Sequence, residues 1–121
     1  HINSSNNLIL FDSVKSRVIH AVPMWYGDIS DDFLTLFIGK SFSDSTSLLQ
    51  FTNELQDLMN IGSTGGFENT KYWNDKVTFD LTYQGANRKE VWRHIEIFIV
   101  DNTIKSFRST NPQMNTSVTV Q

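Results

Sequence analysis

Val77-Thr-Phe-Asp-Leu-Thr-Tyr-Gln-Gly85 is followed, after five residues, by Val91-Trp-Arg-His-Ile-Glu-Ile-Phe-Ile-Val100. Both stretches are rich in β-branched and aromatic residues, which favour strands, and Gly85-Ala-Asn87 at their junction is typical of a turn. Together they predict an antiparallel β-hairpin. Because side chains alternate between the two faces of a strand, the second stretch presents two different surfaces. One surface carries Trp92, His94, Glu96 and Phe98, and the other carries Arg93, Ile95, Ile97 and Ile99.

The N-terminal part predicts one helix and one strand. Apolar residues recur at helical spacing from Leu8 to Val22, and Pro23 ends that helix. The apolar run Phe33–Ile38 predicts a strand. Ser30-Asp31-Asp32 before it could begin a short helical turn or lead into that strand, and we prefer a capping role over a catalytic one for its two aspartates.

The middle of the chain predicts a second helix. Ser43 or Asp44 is a suitable N-cap, the apolar residues from Leu48 to Met59 repeat at helical spacing, and Gly62 is placed to end the helix. Beyond it, Phe67 to Tyr72 predicts a strand that leads into the hairpin.

The C-terminal end predicts one more strand and a polar tail. Asp101-Asn102 predicts a tight turn, and Thr103 to Thr110 alternates in the manner of a strand. The expected organisation is a frayed N-terminus over residues 1–7, a single domain over 8–110 and a polar tail over 111–121, the tail being either a loosely held strand or disordered. The fold class is therefore α+β, with helices on one face of a curved sheet.

Composition narrows the classes of function. The chain has 121 residues, a formal net charge of −3, scattered basic residues and no cysteine. A single soluble domain is expected, without a disulfide framework, a thiolate metal site or a cysteine nucleophile. A nucleic-acid partner is not expected, because phosphate binding requires clustered Lys and Arg. No apolar run reaches the roughly 20 residues of a membrane span, and the cytoplasm is the default compartment.

The predicted meander resembles the nuclear-transport-factor-2-like superfamily, which includes SnoaL-like cyclases and ketosteroid isomerases. The resemblance runs from about Asp31 to Thr110, and it rests on these features: Asp31-Asp32-Phe33 leading into a strand, Gly39-Lys40 before a capped helix, Tyr83-Gln84-Gly85 ending a strand, and Ile95-Glu-Ile-Phe98 followed by Asp101-Asn-Thr-Ile-Lys105. It implies a cone, or cystatin-like roll, in which a bent antiparallel or mixed sheet wraps around N-terminal helices and leaves a pocket at one end.

The resemblance also implies which side chains line that pocket. The Trp92, His94, Glu96 and Phe98 side would face inward, together with Val77, Phe79, Leu81 and Tyr83 from the neighbouring strand. From its position just after the first helix, Tyr26 could reach the pocket mouth or pack in the core or at its rim. The Ile95, Ile97 and Ile99 side would be the outer surface, through which members of the superfamily commonly form dimers. A contiguous apolar stripe favours a partner, and a homodimer is the simplest one.

His94 and Glu96 are the candidate catalytic residues. An apolar wall would favour a neutral Glu96 that donates a proton, as the corresponding acid does in ketosteroid isomerases. His94 could instead pair with an ionised Glu96 or act as the base itself. The two could equally satisfy each other structurally. The general base of the isomerases should lie near Phe37, where the sequence offers no acidic residue.

Two functions follow. The first is a SnoaL-like pocket protein that binds a mostly apolar small molecule, either without catalysis or as an isomerase, dehydratase or cyclase of the acid–base type. It would use neither a cofactor nor a metal. The alternative is a non-catalytic protein-interaction module, such as an immunity or assembly protein, that uses its sheet face.

Overall fold

A computed structural model describes residues 31–59 and 66–121 of the chain. They form a 3₁₀ helix (Asp31–Phe37), an α-helix α1 (Ser45–Met59) and strands β1 (Gly66–Tyr72), β2 (Lys76–Gln84), β3 (Lys89–Val100), β4 (Thr103–Asn111) and β5 (Thr116–Val120). A helix together with an antiparallel sheet makes the fold α+β, as the sequence predicts. The helix predicted between Leu8 and Val22 and its end at Pro23 lie outside the described residues, as does Gly62.

The chain divides into two compact units. Among the described residues, the first unit holds residues 42–59, and the second holds residues 31–41 and 66–121. The second unit contains the whole sheet.

The five strands follow one another as a meander in the order β1-β2-β3-β4-β5, each antiparallel to the next. The strands predicted at Phe67, Val77, Val91 and Thr103 are all present. The polar tail contains a strand as well, since Thr116–Val120 form β5, which pairs with β4 along its length. Of the two outcomes that the sequence leaves open for the tail, the structure has the strand.

Two turns fix the strand connections. At the start of the β2–β3 turn, the Gly85 amide donates to the Arg88 carbonyl at 2.8 Å. A Cβ atom at Gly85 would also lie 2.8 Å from that carbonyl oxygen, so glycine is required there by close approach. In the β3–β4 turn, Asp101 and Asn102 have φ values of 52° and 59°. Two consecutive positive φ values are typical of a type I′ turn, which matches the twist of the strands it joins.

One face of the sheet is apolar and buried. Register places Val77 opposite Ile97 and Phe79 opposite Ile95, and Ile97 in turn lies opposite Phe107 of β4. All five side chains are fully buried. We call this side, with Val77, Phe79, Leu81, Ile95, Ile97 and Phe107, the apolar face. Fully burying side chains of this size stabilises the fold by about 1.5–3 kcal/mol each.

The strand predicted at Phe33–Ile38 is wrong, because Phe33 to Phe37 belong to the 3₁₀ helix and Ile38 lies in the turn that follows it. Leu34 and Phe37 are buried while Thr35 and Leu36 are exposed. Residues three apart share a face of a 3₁₀ helix, whereas a strand would bury every second residue. Gly39, at φ 89°, then reverses the chain, and its amide donates to the Ile104 carbonyl at 2.9 Å.

Helix α1 begins where the sequence predicts. Asp44 is its N-cap, since its Oδ1 accepts hydrogen bonds from the Ser47 amide at 2.8 Å and the Ser47 hydroxyl at 2.9 Å. The buried side of α1 includes Phe51, whose ring meets that of Phe42 edge-on at a centroid distance of 5.4 Å. In the part of the chain described here, neither helix has the length and apolar character needed to cross a bilayer.

Candidate functional site

Polar side chains gather on the side of the sheet opposite the apolar face. We call this side the polar face; it carries Lys76, Thr78, Asp80, His94, Glu96 and Arg108. The alternation of strands β2 and β3 produces it, because Thr78, Asp80 and Glu96 each lie between two apolar residues that point to the other side. Register then matches Asp80 with His94 and Glu96 with Arg108.

Asp80 and His94 form the tightest polar contact on this face. His94 Nδ1 lies 2.7 Å from Asp80 Oδ1, and the two residues are direct cross-strand partners. The His94 side chain is 40% exposed and the Asp80 side chain is 19% exposed. An ionised carboxylate only accepts hydrogen bonds, so the pairing places a proton on Nδ1. In the neutral ring Nε2 then carries no proton, so Nε2 is the nitrogen that can accept one.

Asn69 holds the second oxygen of Asp80. Its Nδ2 donates to Asp80 Oδ2 at 3.0 Å. Asn69 has a φ of 58° and lies at an irregularity in β1, where the register with β2 shifts between Glu68 and Lys71. Asparagine tolerates this left-handed conformation better than most residues, and a bulge re-aims the side chain of the residue it displaces. Both carboxylate oxygens are therefore held, and Asp80 in turn orients the imidazole.

The outer nitrogen of His94 has no hydrogen-bond partner among residues 31–59 and 66–121. With Nδ1 bound to Asp80, Nε2 is the ring atom left to meet a second molecule. A histidine whose Nδ1 is oriented by a carboxylate is the arrangement that serves proton transfer at Nε2.

Glu96 is held by cations rather than by His94. Its Oε2 lies 3.4 Å from Lys76 Nζ and its Oε1 lies 3.4 Å from Arg108 Nη1. The glutamate side chain is only 12% exposed, and the Arg108 guanidinium also lies 5.5 Å from the centroid of the Phe98 ring. Both oxygens serve an ion-pair network across three strands, and His94 is paired with Asp80 rather than with Glu96.

The structure corrects the grouping of the expected pocket residues. Val77, Phe79 and Leu81 were expected beside His94 and Glu96, whereas register places Val77 and Phe79 opposite Ile97 and Ile95. Cross-strand partners share a face, so the three apolar residues of β2 lie on the other side of the sheet from His94.

The aromatic residues expected in the pocket are dispersed. The Tyr83 hydroxyl accepts from Gln113 Nε2 at 3.0 Å, which joins β2 to the β4–β5 turn. Trp92 is buried, with the Arg93 guanidinium 5.4 Å from its ring centroid. Phe98 is partly exposed on the polar face, two residues from Glu96. Tyr26 lies outside the described residues.

The outer surface expected at Ile95, Ile97 and Ile99 is also corrected. Ile95 and Ile97 are fully buried within the single chain, and Ile99 is half-buried. They belong to the apolar face that supplies the core, so they are not an exposed stripe on which a second copy could pack.

Sequence reasoning missed Asp80, Asn69, Lys76 and Arg108. A signal for Asp80 was present, because Lys76, Thr78 and Asp80 share one side of β2 and are polar like His94 and Glu96. Matching polar side with polar side across the hairpin would have paired Asp80 with His94. The position of Asn69 depends on the irregularity in β1, for which the sequence shows no comparable signal.

Within the described ranges, no three histidine, aspartate or glutamate residues lie close enough together to hold a metal ion.

Comparison with known proteins gave no matching protein-family model and no significant match to a curated protein or to a solved structure.

Proposed function

We propose that the chain is a small cytoplasmic binding protein that performs acid–base chemistry on a small molecule at its polar face. His94 is the proton-transfer residue and Asp80 is its positioning residue. The observation that carries this proposal is the 2.7 Å contact between His94 Nδ1 and Asp80 Oδ1, with Asn69 holding the second carboxylate oxygen.

Proton abstraction from carbon is the reaction class that suits this arrangement. His94 Nε2 would take a proton from a carbon next to a carbonyl group, and the resulting imidazolium would stay paired with Asp80. Lys76 and Arg108 are cations on the same face, and they would face the negative charge that develops on the carbonyl oxygen. Returning the proton to another carbon is an isomerisation, and loss of a neighbouring hydroxide is a dehydration.

Glu96 has a supporting role in this proposal. Its ion pairs hold Lys76 and Arg108 on either side of β3, at an interaction strength of up to about 1 kcal/mol for each partly exposed pair. The ring of Phe98 lies against Arg108 and the ring of Trp73 lies 5.9 Å from Lys76 Nζ, so each cation has an aromatic surface beside it that a ligand with an apolar body could contact.

Membership of the nuclear-transport-factor-2-like superfamily, with the cone-shaped roll that it implies, is part of the same proposal. Its support is the order of elements, in which helical segments precede an antiparallel meander. An experimental structure that includes residues 1–30 and 60–65 tests it, and an N-terminal segment without helices would contradict it.

A generic substrate for base catalysis tests the role of His94 before a natural ligand is known. Nitrobenzisoxazole opens its ring when one base removes the proton from its carbon, and the product absorbs visible light. We expect His94→Gln to lower the rate by about tenfold or more. In Asp80→Asn the ring should populate both neutral tautomers, which ¹⁵N NMR of His94 detects.

Arg88→Gln is the matched control, because Arg88 is a well-exposed charged residue in the β2–β3 turn. It should leave both the rate and the NMR signals unchanged. Equal rates for wild type and His94→Gln would refute proton transfer by His94.

A protein-interaction module remains the second candidate, and a specific observation favours it. Phe67, Tyr72 and Trp73 are large aromatic side chains that are exposed on β1 and just after it. Aromatic residues are enriched in protein interfaces. A protein partner bound there would be lost on Trp73→Ala and retained by His94→Gln, which is the opposite of the result expected for proton transfer.

A further inference from the structure

The sheet has two outer strands that differ in how they are protected. β1 contains Glu68 and Lys71, and its pairing with β2 is interrupted by the irregularity at Asn69. Charged residues and bulges are the usual means by which an edge strand is kept from pairing with another chain. β1 therefore carries two such devices.

β5 carries neither device. Its sequence, Thr-Ser-Val-Thr-Val, has no charged residue and no proline, and it pairs with β4 without a register shift. The 3₁₀ helix contacts β5, yet Thr116, Ser117, Val118 and Thr119 are all exposed. In the part of the chain that the structure describes, no strand pairs with the outer side of β5.

The sequence of β5 is suited to pairing with itself. In an antiparallel pair centred on Val118, Val118 faces Val118 of the second copy, Ser117 faces Thr119, and Thr116 faces Val120. Every pair consists of β-branched or hydroxyl residues, which pair well across strands, and no like charges meet. Val118 lies opposite Ser109, which is opposite Ile95, so this pairing continues the apolar face from one sheet into the next.

We propose that β5 pairs with β5 of a second copy of this chain, forming a symmetric dimer with a continuous sheet. This contact is distinct from the proposed acid–base site, and either can hold without the other. The interface is small, so we expect a dissociation constant in the micromolar range.

Sedimentation velocity over about 10 to 500 µM protein tests the proposal. The wild-type chain should shift from monomer to dimer over this range. Val118 is 54% exposed. In Val118→Lys, two lysines would face each other across the β5–β5 contact, and their positive charges would repel. That variant should weaken association by about tenfold or more.

Met114→Lys is the matched control, because Met114 is 70% exposed in the turn before β5 and the charge change is the same. It should dimerise as the wild type does. A wild type that stays monomeric at 500 µM or so overturns the proposal, as does a Val118→Lys variant that dimerises normally.

Amide hydrogen exchange in the wild-type chain keeps the proposal testable if Val118→Lys fails to fold. Exchange over residues 116–120 should slow as the protein concentration rises. Exchange that is independent of concentration would exclude pairing through β5.

Discussion

The position of one residue, Asp80, decides what the polar face can do. Without a carboxylate at Nδ1, His94 would be an ordinary half-exposed histidine whose neutral tautomer is not fixed. His94 and Glu96 could be picked out from the sequence because they interrupt an apolar strand. Asp80 could have been matched with His94 by polarity alone, but Lys76, Arg108 and Asn69 reach these residues only through the register of three other strands.

Ser109 is a residue whose chemistry does not match its surroundings. It lies opposite Ile95, is buried, and its hydroxyl makes no hydrogen bond within the described part of the chain. Burying a hydroxyl without a partner costs about 1–3 kcal/mol.

We therefore expect Ser109→Ala to raise the free energy of unfolding by about 1 kcal/mol. Urea denaturation followed by circular dichroism measures it. Ser106→Ala, at a partly exposed position of the same strand, should change stability by less than about 0.5 kcal/mol. A less stable Ser109→Ala variant would mean that the hydroxyl is hydrogen-bonded in solution.

At the level of single elements, the strands and α1 follow from sequence because their signals are strong and local. Alternation marks β2 and β3, and Asp44 marks the start of α1. The 3₁₀ helix could not be recognised because Phe33–Ile38 is apolar at nearly every position, which hides its period. Only the burial pattern distinguishes a 3₁₀ helix from a strand here, since Leu34 and Phe37 are buried and Leu36 is exposed.

The cap of α1 predicts how stability depends on pH. Hydrogen bonds from the Ser47 amide and then the Ser47 hydroxyl hold the pKa of Asp44 below its ordinary value of 3.8. A folded-state pKa below the unfolded one means that this contribution is fully present above the unfolded pKa. It is lost as the pH falls through the folded value.

Asp44→Ala should therefore lower the melting temperature near neutral pH, and the difference from wild type should shrink at about pH 2. Asp44→Asn keeps an acceptor for Ser47, so it should retain most of the stability but lose its pH dependence. Thermal unfolding followed by circular dichroism at the two pH values measures both effects. An Asp44→Ala difference that is the same at both would contradict the role of the ionised cap.

At the scale of the whole sheet, sequence predicts the order of strands but not their register. Consecutive strands joined by short turns form a meander almost by necessity. Register depends on the residue count of the β2–β3 turn and on the irregularity between Leu81 and Thr82. A shift by one residue exchanges the two faces, which is why the apolar residues of β2 were expected beside His94.

The meander also predicts an order of local stability. Among the described strands, β3 has a neighbour on each side and carries the fully buried Ile95 and Ile97, whereas β1 and β5 each have one neighbour. Amides of β3 should therefore exchange most slowly, and those of β1 and β5 fastest, in dilute protein. Hydrogen exchange read by NMR measures this order, and β1 amides as slow as those of β3 would contradict it.

The surroundings of two tryptophans give the chain separate optical reporters. Trp73 is 55% exposed and lies 5.9 Å from the ammonium of Lys76, while Trp92 is buried. Iodide, which is drawn to a cation, should quench the fluorescence of Trp73 and leave that of Trp92 unchanged in the folded chain. Replacing Trp25 by Phe leaves Trp73 and Trp92 as the tryptophans of the chain. Trp73 emission would then report a ligand bound at the polar face, and Trp92 emission would report unfolding.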